Sequence, residues 1–118
     1  MSYLFHIEQF MPAAYSQPIF EGKLKYSRHA LKEAEGDKFG SITLPAFFKA
    51  ADAKLIEVEF DEKEGTVVKQ LWRQNLDDTR DILLAIGKDG FVRTVWVNLQ
   101  SDVHRTLNKS KYVRRKSF

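Results

Sequence analysis

The chain has 118 residues, 43% of them hydrophobic and 13% aromatic, which suits one domain with a real core. Cysteine is absent, so disulfides and thiolate metal sites are excluded, and the composition fits a reducing cytoplasm. The formal net charge of +3 is unevenly spread: six of the 19 basic residues (Arg105, Lys109, Lys111, Arg114, Arg115, Lys116) come after position 104 with no acidic one, so a mildly acidic body precedes a strongly basic tail.

Met1–Phe20 is low in charge. Leu4, Phe5, Ile7 and Phe10 suit a short strand or a turn of helix, and Pro12 and Pro18 interrupt the rest of the segment. Residues 1–22 read as an arm packed on the core or on a second copy of the chain, ahead of a single α+β domain over 23–118. The start lacks the basic head and apolar run of a signal peptide, and no stretch is long and apolar enough to span a membrane.

Lys23–Tyr26 reads as a brief extended piece. Ser27 is a good N-cap for a helix over Arg28–Glu35, and Gly36 ends it. His29 then falls in the first turn, where the helix dipole disfavours imidazolium and Glu33, four residues on, opposes that effect. Leu44, Phe47, Phe48 and Ala51 recur at helical spacing behind Thr43 and Pro45, which predicts a second helix laid across a sheet.

From Lys54 the period becomes two. Strands are expected over Leu55–Phe60, with Ile56, Val58 and Phe60 on one face, then Thr66–Gln74, Asp81–Gly87 and Phe91–Asn98. Glu62–Gly65, Asp77–Asp78 and the Asp-Gly hairpin signal of Lys88-Asp89-Gly90 separate them. Three short connections favour an antiparallel meander, with the last two strands as its covered pair. The expected architecture is α+β: one or two N-terminal helices packed on a four-stranded antiparallel meander sheet, with a basic C-terminal tail.

The stretch from Asp89 to Tyr112 ends in groups that bind or move protons: Asn98, Asp102, His104, Arg105, Thr106, Lys109, Lys111 and Tyr112. There is no Gly-rich phosphate loop, nucleophile elbow or thiol nucleophile. Asp102 and His104 supply two metal ligands at a spacing common by chance, with nothing to complete a site, so no metal and no cofactor is expected. The remaining set suits phosphate chemistry. His29 and His104 can act as base and acid. Arg73, Arg80, Arg105, Lys109 and Lys111 can hold a phosphate and its transition-state charge. Tyr112 can stack on a base or donate a proton. Trp72 and Trp96 offer further aromatic faces, although their strand setting fits a core.

Ser27, His29 and Ala30 at a helix start, a second helix, a four-strand meander and the strand Val92-Arg93-Thr94-Val95-Trp96 together resemble the barnase–EndoU–colicin–RelE group of small ribonucleases. Within that group the chain looks like small proteins with a "YSxHAxxxA" start and a "TVW/Y" strand. The segment Asp102–Tyr112 is similar to phage and mobile-element proteins. The resemblance spans about Lys23 to Tyr112. It implies a toxin-like, metal-independent endoribonuclease, with His29 as the helix-borne catalytic residue, Arg73 as a phosphate binder and Thr94 as the strand threonine. His104, Lys111 and Tyr112 would contribute from the C-terminal side. The chain departs from the pattern in two ways: Lys32 stands where some of these families carry an arginine, and the first twenty residues are extra.

Two rival readings accompany this one. The first is a non-catalytic, phage-type binding module that captures a host protein or nucleic acid with the same sheet and tail. The second is a small accessory protein forming a homodimer through its N-terminal arm. The expected partners are RNA and a protein, either a host target or an antitoxin, with no membrane.

Overall fold

The computed structural model describes residues 2–6, 13–36 and 40–101. In chain order the elements are β1 (Ser2–His6), the single helical turn α1 (Ala13–Ser16), β2 (Gly22–Lys23), β3 (Lys25–Tyr26), α2 (Arg28–Glu35), β4 (Phe47–Phe48), a 3-10 turn at Ala50–Asp52, β5 (Ala53–Asp61), β6 (Thr66–Asn75), β7 (Arg80–Gly87) and β8 (Phe91–Leu99). The four long strands form the expected consecutive antiparallel meander. The sheet itself is larger than expected and mixed: six strands in the order β1-β5-β6-β7-β8-β3, with β3 running parallel to β8. Strands dominate, and among the described residues α2 is the one helix longer than a turn. One or two helices on a four-stranded sheet is therefore corrected to one helix on a six-stranded mixed sheet.

The second expected helix does not form. Residues 41–46 are not helical and lead into β4, which pairs with β2 through Gly22↔Phe48 and Lys23↔Phe47. Pro45 disfavours helical backbone at the residue before it. The carbonyls that a helix would use are taken elsewhere: Leu24 N donates to Ala46 O at 2.8 Å, and the Tyr26 hydroxyl donates to Pro45 O. Extended backbone in β4 also splits the two phenylalanines. Phe48 is buried 5.2 Å from Trp72, ring to ring, while Phe47 remains exposed. Spacing that mimics a helical stripe is here a strand with one residue in and one out.

Residues 2–6 are an edge strand of the chain's own sheet. Phe5 lies opposite Val58, and its ring meets Tyr15, which stacks on Phe60. One face of the sheet holds the larger core: Leu55, Val58, Val67, Trp72, Ile82, Leu84, Ile86, Val92, Val95 and Val97. Ala30 and Ala34 of α2, together with Ile42 and Phe48, pack on it. The opposite face carries a smaller buried group, Ile56, Leu71, Leu83 and Ala85, with Trp96 against it. β7 is thus covered on both faces, whereas β8 is buried on one side only. Leu55 shares the face of Val58, and Ile56 takes the other. The register slips by one between Leu55 and Glu57, and this bulge reverses the expected alternation at those two positions.

Candidate functional site

Four neighbouring strands, β5 to β8, line a hollow on the face that carries Leu71 and Leu83. Its floor is Gly87, the last residue of β7, which lies opposite Lys69 of β6. Two bulges widen the sheet on either side. In β6, Glu59 pairs with Lys69 and Phe60 with Val67, so Val68 has no opposite residue on β5. In β8, Ala85 pairs with Thr94 and Ile86 with Val92, which leaves Arg93 extra. Such bulges re-aim side chains, and neighbouring Val68 and Lys69 both line the hollow. With no side chain on Gly87, a space of about 400 Å³ opens between Glu59, Lys69, Lys88, Asp89, Phe91 and Arg93.

The rim is charged and largely held in place. Lys69 Nζ lies 3.2 Å from Glu59 Oε1. Lys88 Nζ donates to Thr66 Oγ1 at 2.9 Å, which leaves two of its three donors for a ligand. Asp89 Oδ1 accepts the Phe91 amide at 3.0 Å, and Gly90 turns the chain at φ +81. The Arg93 guanidinium has no hydrogen-bond or ion-pair partner among the described residues, and its side chain is exposed. Three cations therefore face two carboxylates, with the aromatic Phe91 partly exposed beside them.

The start of α2 is fastened to the bulge in β8. Ser27 N donates to Val92 O at 2.9 Å, and its hydroxyl donates to Arg93 O at 2.8 Å while accepting Ala30 N at 2.9 Å. The Ser27 cap and the Gly36 end fall where the sequence placed them. Beyond β3 the edge of β8 has no strand partner among the described residues, and Glu33 takes that place. Its Oε1 accepts the Thr94 hydroxyl at 2.6 Å and the Val95 amide at 3.1 Å, and its Oε2 lies 3.3 Å from His29 Nε2.

Of the residues singled out from sequence, His29 and Thr94 are thus joined through Glu33. The His29 side chain is 71% exposed. Arg73 goes elsewhere: it sits on β6, two strands in from β8, and is 11% exposed, with Nε on Asp81 Oδ2 at 2.8 Å and Nη2 on Leu99 O at 3.1 Å. Arg80 grips Asp77 and reaches Ser41 O at 3.3 Å. His104, Arg105, Lys109, Lys111 and Tyr112 lie outside the described residues. Trp72 is a core residue whose indole donates to Gln70 at 3.0 Å. Sequence reading missed the hollow altogether. The available signal was Gly87, a glycine closing an otherwise apolar strand, which marks a bulge or a close approach.

The fold and this site define a small sheet protein with a charged hollow at one end of its central strand. The chain matches no protein-family model, no curated protein and no solved structure. Among the described residues no helix is long and apolar enough to cross a membrane.

Proposed function

We propose that this protein is a non-catalytic module that binds nucleic acid through the phosphate backbone. The observation that carries the reading is where the cations are. Lys69, Lys88 and Arg93 gather at a concavity that contains no imidazole, and six further basic residues with no acidic neighbour close the sequence. Lysine and arginine grouped in this way neutralise phosphates and release counterions, which is the main source of sequence-independent affinity.

The cleavage reading asks more of the described residues. Arg73 would have to leave Asp81, and breaking a largely buried ion pair by removing one partner costs about 3–5 kcal/mol. Thr94 and Glu33 already serve the edge of β8, which accounts for both without chemistry. End-labelled RNA incubated with the protein and resolved on a denaturing gel tests the choice. Retarded migration on a native gel with an intact strand on the denaturing gel is expected, unchanged in His29→Ala. Strand scission that persists in EDTA, yields cyclic-phosphate ends and disappears in His29→Ala would establish the endoribonuclease instead.

A further inference from the structure

We infer that the hollow over Gly87 receives one nucleotide, its phosphate on Lys69, Lys88 and Arg93 and its base against Phe91; this deepens, and rests on, the nucleic-acid reading. Three observations converge on it. The first is size: about 400 Å³ lies within the range of small-ligand sites, roughly 300–1,000 Å³. The second is chemistry. A guanidinium with no described partner and a lysine with donors to spare stand beside a partly exposed phenylalanine, and cation plus aromatic is the combination that holds a phosphorylated base. Glu59 and Asp89 add carboxylate acceptors for the amino or hydroxyl hydrogens of a base or ribose, so the lining suits a nucleotide better than a bare anion.

The third observation is how the space is made. Two one-residue bulges, in β6 and β8, flank a glycine whose backbone does not need to be one. Gly87 is not among the residues with positive φ, and a Cβ built on it would meet Phe91 O at 3.5 Å, Val68 O at 3.8 Å and Asp89 Oδ1 at 3.9 Å, all ordinary contacts. The strand would accept a Cβ there. What a side chain would remove is the hollow.

Gly87→Val is therefore the decisive variant, with Arg93→Gln as a second that leaves the floor untouched. The amides of residues 87–93 are followed by NMR in the full chain during titration with 5′-AMP, 5′-UMP and inorganic phosphate. A single-stranded RNA of about ten nucleotides is titrated separately by anisotropy. The expected result is shifts confined to the hollow with either nucleotide, weaker ones with phosphate, and none in Gly87→Val, whose melting temperature is retained. RNA affinity should fall about tenfold in both variants, the loss of one stacked or paired unit. Equal shifts from phosphate and nucleotide would overturn the nucleotide assignment. RNA binding unchanged in both variants would overturn the hollow while leaving the nucleic-acid reading in place. An unmodified chain that binds neither RNA nor nucleotide would overturn both.

Discussion

Gln70 is a buried glutamine that ties the N-terminal segment to the sheet. It is 1% exposed, accepts Ile19 N at 3.2 Å and the Trp72 indole at 3.0 Å, and donates to the carbonyls of Tyr15 and Gln17. It supplies, from one side chain, the partners that a strand edge would supply to residues 15–19. Gln70→Leu keeps the volume and removes all four bonds. The buried Trp72 indole left unpaired costs about 1–3 kcal/mol and the three part-buried backbone groups, which can regain water, cost less, so an overall loss of roughly 2–4 kcal/mol is expected, read as a lower urea midpoint with an unchanged slope. A variant as stable as the parent would show that the segment is held by packing alone. Legibility at this scale tracks locality. The Ser27 cap and the Gly36 end are readable because each depends on residues within one turn. The β8 partners of Glu33 lie 61 and 62 positions away and the N-terminal partners of Gln70 lie 51–55 away, and nothing in a single sequence announces them.

The elements show the same division. The four meander strands are legible to within one or two residues because alternation and turn residues are local signals, as at Gly65 and Gly90, whose φ values are +68 and +81. For β1 and β3 the extended backbone is partly legible, as a short strand or helical turn around Leu4 and Phe5 and an extended piece over Lys23–Tyr26, but their places at the two edges of the sheet are not, because the long strands they join set them. The stripe of Leu44, Phe47 and Phe48 misleads because extended pairing with β2 buries Phe48 as well as a helix would. The connection between β6 and β7 carries a pH signature. Asp77 holds the turn through hydrogen bonds from the Arg80 side chain and the amides of Thr79 and Arg80, and these draw its carboxyl below the ordinary value of 3.8. A folded value below the unfolded one means the contribution is present above the ordinary value and is lost as pH falls through the folded one. Protection of the Thr79 and Arg80 amides should therefore decline below about pH 4 while the β7 core stays protected, and Asp77→Asn should flatten the change. Protection that holds constant to about pH 2 would contradict this assignment of the turn's strength.

For the molecule as a whole, the charge asymmetry is legible in the sequence and the hollow is not. A basic tail is a matter of counting. The hollow needs one-residue slips in two strands and a glycine in the strand between them, and no composition or period encodes that combination. The same sheet keeps Arg73 and Asp81 paired on the face that opens over Gly87, and in the function proposed above phosphate contact is assigned to Lys69, Lys88 and Arg93 instead. The central claim is that cations, and not acid–base residues, carry the function. Its most direct test is the salt dependence of binding to single-stranded RNA between about 50 and 200 mM, comparing the full chain with a variant whose six basic residues after position 104 are glutamine. The account predicts a steep log–log slope for the parent that becomes shallower by up to about 4 in the variant, with the RNA intact in both. A slope near zero in the parent, or one that the substitutions leave unchanged, would contradict it.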